Sequence, residues 1–250
     1  MNTATITGPI QRFFRETSPM VRLIVIINIV IFVVPYLLDQ IGVVYKSMQL
    51  TDLLLIHGAK DNIAIYQANQ YYRFLSMMFL HGNIVHILFN SFAIVQIGES
   101  VERMSDRNGF LGIYFVGGLV GGIASYLFSP NPSVGASGAI FALIGAMGIF
   151  VWTNRRAYGE NAKQILGNIA FTAMINIFFG YSMPNIDNMA HIGGLIGGLI
   201  TGFLLMPRLT EYQTESGVVR QRTPLTWGWN GVIVLVALLF AIVALAVPAL

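Results

Sequence analysis

The chain contains no cysteine and little charge: only 10% of its 250 residues are Asp, Glu, Lys or Arg. The first absence excludes disulfides, thiolate nucleophiles and cysteine-ligated metals, and says little about compartment. The second excludes an ordinary soluble domain, in which about 25% of residues are charged. A net charge of +3 is basic enough to raise the question of nucleic acid. The basic residues are scattered beside apolar runs, however, which fits membrane orientation signals and not a nucleic-acid surface. No cleavable leader is expected, since residues 1–19 are polar and the first apolar run is too long for one. Internal repeats and low-complexity tracts are also absent.

What is present is hydrophobic: 55% of the residues, with a mean hydropathy of +0.69. Hydropathy places seven spans near Val21–Leu38, Gly82–Glu99, Gly109–Phe128, Ser137–Trp152, Gln164–Tyr181, Asn188–Met206 and Trp229–Leu250. The reading is an all-α polytopic membrane helix bundle. It has a cytoplasmic segment over 1–20, a six-span core over 21–207, a polar cytoplasmic linker over 208–228 and an additional span over 229–250. With the N-terminus inside, Arg12, Arg15, Arg22, Arg103, Arg107, Arg155, Arg156, Lys163, Arg208, Arg220 and Arg222 are cytoplasmic. Only Lys46, Lys60 and Arg73 remain outside, a strong positive-inside bias.

Two short motifs then stand out. Gly135-Ala136-Ser137-Gly138 heads the fourth span, and Ala190-His191-Ile192-Gly193-Gly194 heads the sixth. Ionisable side chains are costly in hydrocarbon, so His191 is a functional candidate by default. A serine at the same depth supplies the nucleophile that such a base activates. In alternating spans the fourth and sixth are parallel, so both motifs fall at the outer side. The fourth span is short, about 24 Å of helix against about 30 Å of hydrocarbon. Ser137 therefore starts below the outer surface, and Ser129-Pro130-Asn131-Pro132-Ser133 must dip to reach it. Irregular backbone at that depth is tolerated where it is buried in protein or lines a wet cavity.

Small residues recur every four positions, as Ala190, Gly194, Gly198 and Gly202 on the sixth span and Gly138, Ala142 and Ala146 on the fourth. Such stripes let helices pack closely in lipid; alone they are ordinary packing, but these begin beside Ser137 and His191. Gly135 permits a tight entry into the helix, whose free N-terminal amides suit a developing negative charge. The bland alternative is a serine N-cap between loop glycines. On the second span His86 and Asn90, at i and i+4, share a face near His81 and suit oxyanion donation. They equally suit interhelical hydrogen bonding, or a metal site of His81, His86 and His191. No carboxylate stands at ligand spacing, so no metal and no cofactor is expected. Asp187 is read as a rim residue, leaving a serine–histidine dyad, and His57 as surface or structural.

Taken together these residues resemble the rhomboid family of intramembrane serine proteases, over roughly Tyr71 to Gly202 plus the first span. Tyr72-Arg73 occupies the family's aromatic–arginine position, usually Trp-Arg. His81, His86 and Asn90 match its His-x4-His-x3-Asn, and Glu102-Arg103 its acidic–basic pair. The Gly135–Gly138 motif and Asn188-x-Ala190-His191-x2-Gly194-x3-Gly198 match its two catalytic helices. Phe141 replaces a frequent tyrosine, and Met77 stands where some members have histidine.

The resemblance implies a serine endopeptidase that cleaves transmembrane segments near the outer face. Ser137 would be the nucleophile and His191 the base and acid. The Ser137 amide, His86 and Asn90 would form the oxyanion site, with Gly135, Gly138, His81, Phe141, Gly194 and Gly198 in support. It implies transmembrane substrates with small residues at the cut, lateral access beside Phe178 and Phe179, and a cap over Ser182–Asp187. Expected partners are those substrates and the bilayer, with no nucleic acid, in a bacterial inner membrane. Two alternatives remain: an inactive client-binding relative, and a transporter lined by the histidines and Asn90.

Overall fold

A computed structural model describes residues 9–183, 186–214 and 217–249. The chain opens with α1 (Pro9–Glu16) and the long apolar α2 (Pro19–Gln40). The first loop is structured: a small hairpin, β1 (Val44–Tyr45) and β2 (Met48–Gln49), leads into α3 (Leu50–Gly58), α4 (Asn62–Ala68) and α5 (Arg73–Ser76). A short 3-10 turn, Met77–Phe79, closes it. The bundle continues with α6 (Ile84–Ser105), α7 (Arg107–Phe128), α8 (Ser137–Thr153), the single turn α9 (Arg155–Tyr158), α10 (Asn161–Ser182) and α11 (Asn188–Leu205). A hairpin of β3 (Arg208–Thr214) and β4 (Gly217–Thr223) precedes α12 (Gly228–Leu245).

Among the described residues, six helices are long and apolar enough to cross a membrane: α2, α6, α7, α10, α11 and α12. The seventh apolar helix, α8, has 17 residues, the short span expected from its hydropathy. The chain is a multi-pass membrane protein of all-α architecture. One difference concerns residues 208–228, read from sequence as a linker: most of that stretch is the β3–β4 hairpin, paired from Arg208–Thr223 to Thr214–Gly217.

The centre of the bundle is α11, held between α7 and α8. Side chains are nearly absent at these contacts. A Cβ on Gly194 would fall on the Gly138 carbonyl, and one on Gly198 on the Ala142 carbonyl. The other face of α11 packs as closely: Gly193 lies against Ala124 and Val120, and Gly197 against Gly117. Gly121 of α7 completes the seam, where a Cβ would sit 2.7 Å from the Ala190 carbonyl oxygen. In lipid no hydrophobic drive brings helices together, and close backbone approach supplies dispersion contacts in its place.

The remaining helices surround this trio. Helix α2 buries Val21, Ile24 and Val25 towards α6, whose Gly98 makes room for Val21. The buried carboxylate of Glu102 accepts hydrogen bonds from the Met20 and Val21 amides at 2.9 to 3.1 Å, which satisfies donors that the first turn of α2 leaves free. Helix α12 meets the end of α11 through Gly228 and Gly231 against Leu204. Helix α10 is different, burying only Ala162, Ala173 and Gly180.

Candidate active site

Ser137 is the first residue of α8 and His191 lies in the first turn of α11. The two helices start at the same end of the bundle, and the Gly194–Gly138 contact draws their first turns together. The result is a separation of 2.9 Å between His191 Nε2 and Ser137 Oγ. His191 is 8% exposed, and Ser137 is half-buried. Phe141, one turn below Ser137, stacks on the imidazole with ring centroids 4.3 Å apart and planes 15° from parallel. The stacking is a contact of ring faces and needs no phenolic hydroxyl.

Asp187 is not a third member of the pair. One of its carboxylate oxygens accepts from the Ala190 amide at 3.0 Å, capping α11, and the other accepts from the Ser125 hydroxyl. His191 Nδ1 is buried and has no hydrogen-bond partner among the described residues. Asp187, half-buried at the end of the outer loop, is the N-cap of the histidine helix.

The approach to Ser137 is fixed by Gly135. Its φ of +127° lies in the region that favours glycine. A Cβ there would also be 2.6 Å from His86 Nε2 and 3.5 Å from Asn90 Nδ2. Those two side chains thus face the backbone that enters α8. The Asn90 amide nitrogen is buried and has no hydrogen-bond partner among the described residues. Gly135 is held in turn by its amide donating to the Met77 carbonyl at 2.9 Å. His81 is buried and stands edge-on to His86, with centroids 5.0 Å apart.

Among the described residues no three His, Asp or Glu side chains converge as metal ligands would. The structure instead separates the histidines, with His191 on Ser137 and His81 beside His86. His57 is exposed in α3, where its carbonyl accepts from the Tyr72 hydroxyl at 3.0 Å. Arg73 is 4% exposed and donates to the Ile56 and Ala59 carbonyls at 3.0 and 2.7 Å, which ties the first loop together. Phe178 and Phe179 on α10 are 63% and 51% exposed, on the outside of the bundle. Of the expected cap over Ser182–Asp187, residues 184 and 185 lie outside the described residues.

Sequence reasoning missed two contributors. The glycine pairs Gly117-Gly118 and Gly121-Gly122 of α7 carry the same i, i+4 signal as the stripes that were used. Lys60 carried no signal, since a lone lysine in a polar loop looks like solvated charge.

Comparison with known proteins identifies the family. Residues 68–208, more than half of the chain, match the Rhomboid domain family. The rhomboid protease GluP of Bacillus subtilis (strain 168) is 43% identical over 155 residues, which is 62% of this chain and 30% of GluP. RHOMBOID-like protein 6, mitochondrial, of Arabidopsis thaliana is 37% identical over 164 residues, 64% of this chain and 50% of that protein. YdcA of Bacillus subtilis (strain 168) is 34% identical over 142 residues, 56% of this chain and 69% of YdcA. The match thus spans only 30% and 50% of the first two relatives. The chain belongs to the rhomboid family.

Proposed function

We propose that this chain is an intramembrane serine endopeptidase that cuts transmembrane segments of other proteins with a Ser137–His191 dyad. The observation that carries the reading is the 2.9 Å contact between His191 Nε2 and Ser137 Oγ within the membrane-spanning bundle. Such a pair activates a hydroxyl that is a poor nucleophile alone. Ser137 Oγ bonds to the scissile carbonyl carbon while its proton passes to Nε2. His191 returns that proton to the leaving nitrogen as the C–N bond breaks, leaving an acyl-enzyme that water hydrolyses. Negative charge on the carbonyl oxygen is met by the Ser137 amide, His86 and Asn90. The Ser137 amide, at the first position of α8, has no intrahelical acceptor, and the Asn90 amide has no partner among the described residues.

The dyad lies at the end of the bundle away from Arg103, Arg107, Arg155, Arg156 and the basic hairpin. That distribution supports an N-terminus on the cytoplasmic side and cleavage near the outer face of the membrane, which we take to be a bacterial inner membrane. A substrate helix must unwind there, since its carbonyls are hydrogen-bonded within the helix. Access beside α10, past Phe178 and Phe179, fits the sparse packing of that helix.

Reconstituted protein and a transmembrane test substrate decide the matter. The parent cleaves, Ser137→Ala and His191→Ala do not, and the double substitution is no worse than either, because the pair acts as a unit. EDTA and phenanthroline leave turnover unchanged. Turnover by folded Ser137→Ala protein would sink the proposal, and loss with chelator reversed by zinc would move it to a metal mechanism.

A further inference from the structure

Lys60, between α3 and α4, has no exposed surface. Its ammonium Nζ lies 2.8 Å from the Asn131 carbonyl oxygen, 2.9 Å from that of Ser129, 3.4 Å from that of Ser125 and 3.0 Å from Asn62 Oδ1. Two of these carbonyls belong to the C-terminal end of α7 and its cap, and Asn131 belongs to the loop that leads to Ser137. The backbone of Lys60 pairs with Ser133 in both directions, at 2.9 and 3.0 Å, two residues before Gly135. A second branch starts at Ser125, whose hydroxyl donates to Asp187, the cap of α11. One buried cation thus sits where the route to the nucleophile meets the route to the histidine.

Lysine suits this node. An ammonium carries three N–H donors and no acceptor, and here it faces four oxygens. Burying a charge is costly unless hydrogen bonds and opposite charge surround it, which Asp61 and Asp187 supply. The other titratable groups around the node are Arg73, on the Ala59 carbonyl, and Tyr66 and Tyr71 on the side of Tyr126. Asn62 reinforces the node by donating to the Tyr126 and Ser129 carbonyls at 3.1 and 3.0 Å. Its amide also reaches the Ala249 carbonyl, so the segment after α12 closes over the same spot.

We propose that Lys60 is a positioning residue for the reaction proposed above, its ammonium fixing the Ser137 loop against the first turn of the His191 helix. The proposal rests on the dyad reading for its kinetic consequences and on the geometry alone for its structural ones. Burial pushes the Lys60 amine down to about 8, against an ordinary value of 10.5, with Asp187 and Asp61 opposing the shift. Between those values the unfolded chain binds more protons than the folded one, so this group alone makes stability rise with pH. The node weakens in the same window, because a neutral amine offers two N–H groups to four oxygens and turns a lone pair towards one of them. Activity and stability should therefore part company above about pH 8.

The test uses the full chain in liposomes, with turnover followed between about pH 6 and about pH 10. Parent turnover should fall reversibly above about pH 8 with no matching loss of melting temperature. Lys60→Arg, whose guanidinium stays protonated, should keep turnover and lose the alkaline fall. Lys60→Met should lower kcat by on the order of tenfold to a hundredfold at neutral pH with KM little changed. Hydrogen exchange in Lys60→Met should quicken at residues 131–137 and 188–191. An alkaline fall unchanged in Lys60→Arg, or parent-like kcat and exchange in Lys60→Met, overturns the proposal. If Lys60→Met does not fold, the comparison of parent with Lys60→Arg decides. If the folded parent never turns over, the protease reading fails, and the exchange rates still judge Lys60.

Discussion

The α7–α8–α11 trio and helix α10 are built on opposite principles. In the trio, glycine and alanine backbone atoms replace large side chains at the contacts, and every α8 residue from Gly138 to Ala146 is buried. In α10, three residues are buried and the large side chains Phe171, Met174, Phe178 and Phe179 face outward. A dyad needs its two atoms held to a fraction of an ångström, and backbone-to-backbone packing has no rotamers through which to relax. A path for a second helix needs the reverse, an element that can move at low cost. Under the proposed function, the chain separates precision from access by the residues it places at each seam.

Breaking the trio should produce the largest effect outside the dyad itself. Gly198→Val or Gly194→Val drives a side chain into the Ala142 or Gly138 carbonyl and should cost on the order of a hundredfold in turnover, or folding altogether. Melting temperature and turnover measured together separate the two outcomes. Next in size are His86→Ala and Asn90→Ala, which act on the developing oxyanion and should lower kcat more than they raise KM. Loss of one such donor costs on the order of a hundredfold to a thousandfold in other hydrolases, and sharing among three donors should make each single loss smaller. Parent-like turnover in both variants would reduce His86 and Asn90 to packing groups.

Smaller effects are expected on the sparsely packed side. Phe178→Ala with Phe179→Ala should change kcat/KM for a transmembrane substrate while leaving reaction with a small fluorophosphonate unaltered. Equal changes for both reagents would remove α10 from the access path. The smallest effect belongs to Ile196→Phe, on the exposed face of α11, where a surface change shifts stability by about 0.5 kcal/mol or less. Sensitivity there equal to that at Gly198 would show that the stripe has no special role.

Much of this was legible in the sequence, for identifiable reasons. Span parity alone brings Ser137 and His191 to one end, and the i, i+4 recurrence from Ala190 and from Gly138 marks the seam between their helices. The short α8 follows from its apolar length. What could not be read depends on contacts far apart in the chain. Lys60 meets carbonyls 65 to 71 residues away, and no local pattern encodes that. Asp187 resembles any loop carboxylate until its partners, Ser125 and the Ala190 amide, are in place. The sequences of β3 and β4 are mostly polar, so they lack the apolar alternation by which a strand is recognised. The α7 glycines were legible and overlooked, because that helix bears no ionisable residue within the span to draw attention to it.

The most direct measurement is mass-spectrometric mapping of the adduct formed by a fluorophosphonate on the full chain in its membrane. The account predicts a covalent adduct at Ser137 Oγ that is lost in folded His191→Ala. Turnover without an adduct at Ser137, or labelling of Ser137 that is indifferent to His191, would contradict it.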